Sequence, residues 1–182
     1  MLVVLLVVVR PCSAQSGGHS TPSDKNCVLS KPEIEIYRSQ LADESLEKSL
    51  MVIAASTEGW IEDIDSFNLS LATQGRGISP EVRTDFTAKN RVSCVIQPFA
   101  AVSNLRFISK NDQKRLASDD WNTFQRKYGR NAEYVVLSRV GFNADKTLAL
   151  IHVLYSGFGR LYLYELTEGK WRIKYSVPTR TS

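Results

Sequence analysis

Histidine, methionine and cysteine are scarce in this 182-residue chain, which has two, two and three of them. The scarcity excludes whole classes of chemistry. His152 is the one histidine outside the N-terminal leader, so neither a His-rich metal site nor a paired-histidine mechanism can be assembled. Motif signatures are also missing. There is no GxxxxGK(S/T), no GxGxxG after a strand, no HExxH and no GxSxG. Gly75-Arg76-Gly77 reads as a loop. Glu62-Asp63-Ile64-Asp65 lacks the glycine and distal glutamate of a calcium loop and reads as a surface run. No cofactor is expected. Charge of one sign is lacking as well: 23 basic against 19 acidic residues leave +4, and the two signs interleave. No basic patch with interleaved aromatics marks a nucleic-acid partner, and no amphipathic basic helix marks a membrane.

The chain is 43% hydrophobic and 23% charged, ordinary for a globular protein of this length. Its longest apolar run, Met1–Val9, is nine residues and cannot span a hydrocarbon core that needs about 20. The run suits the apolar region of a signal peptide, and Cys12-Ser13-Ala14 offers small residues before a cleavage at Gln15. No Lys or Arg precedes the run, so only the α-amino group of Met1 supplies the usual positive charge. A strand opening the domain is the competing reading, opposed by Arg10-Pro11 and the polar stretch after it. The expected division is a signal peptide over 1–14, a flexible leader over 15–29 and one domain over 30–182. The product is expected to be secreted or periplasmic, with no membrane attachment in its mature form. Removal of the signal leaves Cys27 and Cys94. They can form one disulfide, contributing roughly 4 kcal/mol by chain entropy, or remain as buried thiols.

Ser30-Lys31-Pro32-Glu33 forms a capping box with proline in the first turn, which predicts a helix over about 32–43, with Ile34, Tyr37 and Leu41 along one stripe. Leu50–Ala55 and Leu105–Ile108 read as short strands. Ser79-Pro80-Glu81 starts a helix to about Asn90. A third helix follows Asp119-Asp120, with Trp121, Phe124 and Tyr128 as a core stripe. Residues 56–79 show no clear period. Four β-rich runs then close the chain: 134–142, 147–156, 161–166 and 171–177, joined by Asn-, Asp- or Gly-bearing links of four residues. The fold class is therefore α+β: N-terminal helices and short strands packed on a C-terminal four-stranded antiparallel meander.

Four-residue links imply a register with Phe142 opposite Thr147, Ser156 opposite Leu161 and Leu166 opposite Trp171. One face then carries Val136, Val153, Tyr155, Tyr162, Tyr164 and Ile173, and should pack on the helices. The other carries Leu137, His152, Glu165 and Arg172 in one row, with Arg139 diagonal to His152. Two readings of that row compete. It is either a solvated face with cross-strand ion pairs, or a site in which Glu165 orients and charges His152 while Arg139 and Arg172 hold an anion. On the second reading His152 and Glu165 are the catalytic candidates, and the His152 pKa should be raised. The first makes the protein a non-enzymatic binding or interaction module for a small molecule or a protein. The second makes it a small hydrolase- or isomerase-like enzyme.

The stretch Leu137-Ser138-Arg139-Val140-Gly141-Phe142-Asn143, with Ala149-Leu150, Gly157, Gly159 and Gly169-Lys170-Trp171, resembles the end of a family of uncharacterised exported bacterial proteins. The likeness extends more weakly to Pro32, Ile53, Asp85-Phe86 and Asn90. The chain departs from it at the second hairpin, where relatives often carry a longer, Gly- and Cys-containing loop. The resemblance implies export and fold, with no activity attached. Helices before a terminal meander also resemble the cone fold of the nuclear-transport-factor-like superfamily.

Overall fold

The computed structural model describes residues 28–42, 51–53, 64, 77–92, 94–96, 104–118, 121–155 and 158–179. The signal-peptide and leader readings, Cys27, most of the 56–79 stretch and the acidic run near Ile64 lie outside those residues.

Helix α1 spans Lys31–Leu41. The Glu33 carboxylate accepts hydrogen bonds from Ser30 N (2.9 Å) and Ser30 Oγ (3.0 Å), closing the expected capping box. Its buried stripe is Glu33, Ile36, Tyr37, Gln40 and Leu41, so the stripe is centred on Ile36 rather than Ile34 and includes two polar residues. Helix α2, Pro80–Lys89, starts at Ser79, whose Oγ accepts from Val82 N at 3.4 Å, and it buries Val82 and Phe86. Helix α3 (Lys110–Ser118), absent from the sequence reading, precedes α4 (Trp121–Tyr128). Phe124 and Tyr128 of α4 are buried, whereas Trp121 is exposed and stacks on Phe124 at 4.6 Å.

The strands are β1 (Met51–Ile53), β2 (Leu105–Phe107), β3 (Glu133–Leu137), β4 (Gly141–Phe142), β5 (Leu148–Tyr155), β6 (Phe158–Thr167) and β7 (Lys170–Thr179). Among the described residues they form one sheet in the order β2-β1-β3-β5-β6-β7, and β4 pairs β5 on the edge β3 also uses. The C-terminal part is the antiparallel meander of an α+β fold. The two short strands extend it edge-on, both parallel to their neighbours, rather than packing on its face.

Both faces of the meander are covered. Ile36, Tyr37 and Leu41 of α1 pack with Leu137, Ile151, Val153 and Tyr164 on one. Val82 and Phe86 of α2 pack with Leu150, Leu161 and Leu163 on the other. Gly141 is where α2 meets the sheet. A Cβ there would lie 2.4 Å from Phe86 Cβ and 2.6 Å from its Cα, so only glycine admits the helix.

Three details of register differ from expectation. Run 134–142 is two strands, not one. Leu137 pairs with Val153 and Gly141 with Leu150, four steps on one side against three on the other, so a bulge separates β3 from β4. Val136 faces Leu154, a one-residue slip that exchanges the β3 faces and puts Leu137 against α1. Strand β6 begins at Phe158, so Tyr155 pairs with Phe158 and every partner across β5 and β6 is displaced from the expected one. The last hairpin keeps its expected register, Leu166 opposite Trp171, up to a bulge beside Leu163 and Tyr164.

Candidate functional site

The bulge between β3 and β4 is built by side chains that take up its backbone groups. Tyr37 Oη donates to Ser138 O at 2.8 Å, and His152 N donates to Ser138 Oγ at 2.8 Å. Buried Asn90, just past the end of α2, accepts from Arg139 N (2.8 Å) and donates to Arg139 O (3.0 Å) and Phe86 O (2.8 Å). A bulge leaves a residue outside the ladder, and its polar groups need other partners. Asn90 supplies them for Arg139. The hairpin that follows is closed by Asn143, whose Oδ1 accepts from Thr147 N (2.9 Å) and Leu148 N (2.7 Å).

The arginine freed from the ladder turns toward α1. Arg139 Nε donates to Glu33 Oε1 at 2.7 Å and Nη2 to Oε2 at 3.0 Å, a two-point pair, while Nη1 lies 3.1 Å from Cys94 Sγ. The Glu33 side chain is 1% exposed and that of Arg139 11%. Burial pushes the Glu33 carboxyl up, yet the Arg139 guanidinium and the Ser30 N–H hold it below the usual carboxylate range. Burial disfavours the Arg139 charge too, and Glu33 more than restores it. The pair stays ionised.

Above it lies a cleft of about 830 Å³ between the start of α1, one face of α2 and the β4–β5 hairpin. Thr84, Ala88 and Pro80 form one wall and Phe142, Asn143, Ala144 and Lys146 another. Lys89 Nζ donates to Asp85 Oδ2 at 2.8 Å and to Val140 O at 3.1 Å, and it sits 5.0 Å from the Phe142 ring centroid. Asp85 Oδ2 also accepts from Phe142 N at 2.7 Å, and Glu81 from Ala144 N at 3.2 Å. The walls are mainly apolar, and four of the ionic groups are joined in pairs.

The structure separates the residues that the trial register brought together. His152 faces Leu161, and Glu165 faces Leu148. Glu165 is paired with Lys174 at 2.8 Å, and Arg172 with Glu168 at 3.7 Å, both on the surface. Glu165 and Arg172 do lie opposite one another, as expected. Arg139 belongs to the cleft and is bound to Glu33. The face around His152, solvated on one of the two readings, is buried: α2 packs on Leu150, Leu161 and Leu163 of the same strands, and Thr179 of β7 reaches the ring. His152 is 3% exposed, and its Nε2 lies 2.9 Å from Thr179 Oγ1. Burial depresses its pKa to about 4, the opposite of the rise expected from a carboxylate neighbour. Cys94 is buried and disulfide-bonded, with its partner outside the described residues.

The sequence reading missed Glu33, Asp85, Lys89 and Asn90 as site residues. Glu33 was legible only as a cap. Asp85 and Asn90 stood in the resemblance without a role. Among the described residues no cluster of three or more His, Cys, Asp or Glu is placed to hold a metal ion. No helix there is long and apolar enough to cross a membrane. No protein-family model, no curated protein and no solved structure matches the chain.

Proposed function

We propose that the chain is an exported, non-enzymatic binding or interaction module whose ligand sits in the cleft between α1, α2 and the β4–β5 hairpin. The observation that carries this reading is the state of the ionic groups. Arg139 and Glu33, and Lys89 and Asp85, are committed to each other and to the backbone. Groups tied in this way shape and rigidify a pocket, and none of the four is poised as an acid, base or nucleophile. The enzyme alternative needs His152, Glu165 and Arg139 in one pocket, and its support falls with their separation.

Export is supported by the apolar run at Met1–Val9 and by the small residues before Gln15. A disulfide on Cys94 suits an oxidising compartment, and we take Cys27 as its partner. The resemblance to exported bacterial proteins, and to the nuclear-transport-factor-like cone, belongs to this proposal. So does the absence of a nucleic-acid partner.

Protein NMR against a mixed library of fragments and short peptides tests the cleft. Shifts should gather at Thr84, Ala88 and Phe142. Shifts gathered around His152 would move the reading to the enzyme. Intact mass of the exported protein should begin at or near Gln15 and show no alkylated thiol before reduction.

A further inference from the structure

We propose that the ligand of the cleft is a short zwitterionic peptide, an inference that rests on the cleft being the binding site. Three acids and three bases line it. Four cancel in pairs, Arg139 with Glu33 and Lys89 with Asp85. Glu81 and Lys146 remain. Both are exposed, and among the described residues neither forms a side-chain ion pair. The one bond to the Glu81 carboxylate is from Ala144 N, at 3.2 Å.

The cleft therefore presents one carboxylate and one ammonium over a neutral, mainly apolar floor. Its charge complement is a ligand with one of each, an amino terminus for Glu81 and a carboxyl terminus for Lys146. Pro80, Ala88 and Phe142 supply apolar contact for side chains between the ends. Other ligand classes fit less well. A polyanion would find only Lys146 unpaired and would set its charge against Glu81. A hydrocarbon would strip water from Glu81 and Lys146 and give nothing back. The volume, about 830 Å³, lies at the upper part of the range for small-ligand pockets and exceeds what a single amino acid needs.

Trialanine with free termini, and the same peptide acetylated and amidated, can be titrated into the isotope-labelled mature chain. The amides of Thr84, Ala88, Phe142 and Ala144 report. The free-termini peptide should give saturable shifts, and the blocked peptide should bind at least about tenfold more weakly. Glu81→Gln and Lys146→Gln should each weaken the free-termini peptide by about tenfold while leaving the spectrum elsewhere intact. Equal binding of the blocked peptide, or variants without effect, would overturn the zwitterion and leave the cleft as a ligand site. If neither peptide moves those amides, the peptide proposal fails. The cleft reading fails with it only if the mixed library also leaves them still.

Discussion

The two faces of the meander are fixed by different physics. On the α1 side the core contains polar groups that are bonded to one another. Gln40 Nε2 donates to Tyr155 Oη at 2.9 Å, Tyr164 Oη donates to Gln40 Oε1 at 2.7 Å, and Tyr37 reaches Ser138 O. Glu33 and Arg139 complete the set. On the α2 side the core is aliphatic and aromatic apart from His152, and its fit depends on two places where a side chain is absent, Gly141 and Gly159. A hydrogen-bonded core specifies partners by direction, and an apolar one specifies them by volume. The cleft lies where the two meet, at the bulge.

The comparison is broken most severely by removing one charge of the buried pair. Arg139→Met leaves Glu33 buried without its cation, and the loss should be about 3–5 kcal/mol. Pairing it with Glu33→Leu should recover much of that, because the uncompensated charge is gone. Urea unfolding of the two single variants and the double variant measures the coupling. Additive losses would show that the pair is not a unit.

On the apolar side the equivalent test is Gly141→Ala. The added methyl would lie inside the van der Waals radius of Phe86 backbone and Cβ atoms, so α2 must move off the sheet. The cost should be up to about 3 kcal/mol. A milder form sits at Gly159. A Cβ there would lie 2.9 Å from His152 Nε2 and closer still to Thr179 Oγ1. Thr179 ends β7 as described, so Gly159→Ala should cost less than Gly141→Ala and should loosen the strand end first. Amide exchange at Val177 and Thr179 separates the two.

Those glycines also show what the sequence concealed. Gly157 and Gly159 flank Phe158 and read as the turn of a four-residue link. In the structure Gly159 is a strand residue, there because His152 and Thr179 fill its side-chain space. An aligned glycine pair carries the same letter for a turn as for a close contact, so the register of β5 and β6 was misread. The last hairpin was legible because Gly169 does sit in the turn, at φ 72°, and the alternation on both sides agrees with it. The break between β3 and β4 was hidden for a third reason. The apolar pattern runs on through Val140 and Phe142, and only Asn90 and Tyr37, distant in sequence, reveal that the backbone leaves the ladder. The cleft needs three separate segments and could not be seen in any one of them.

Acid should distinguish the faces next. The folded His152 pKa is depressed to about 4, against about 6.5 unfolded. The unfolded chain therefore binds the extra proton first. Stability is full above about pH 6.5 and falls as pH drops toward 4, by about 2 kcal/mol at pH 5. Glu33 acts in a lower window. Its folded pKa is lowered, so its contribution is present above the unfolded carboxylate value and is lost as pH falls through the folded one. His152→Asn should therefore flatten the pH dependence between pH 6.5 and 5 and leave the steeper loss below that. Denaturation midpoints across that range check it. A wild-type midpoint independent of pH there would mean that His152 is reached by water.

The smallest expected effect concerns Glu165. Its carboxylate is 44% exposed and pairs with Lys174, also 44% exposed, at 2.8 Å. An ion pair so open to solvent contributes about 0.2–1 kcal/mol, and salt screens it. Glu165→Gln should therefore cost well under 1 kcal/mol. Its value lies in what it leaves alone. His152 faces Leu161, four positions along β6 from Glu165, a separation of about 13 Å at strand rise. Across that distance one exposed charge cannot hold an imidazole in place. The NMR titration of His152 should be the same in wild type and Glu165→Gln, depressed in both by burial. A shift of the His152 midpoint on that substitution would place the two side chains in contact and restore the register with Ser156 opposite Leu161 in place of Tyr155 opposite Phe158.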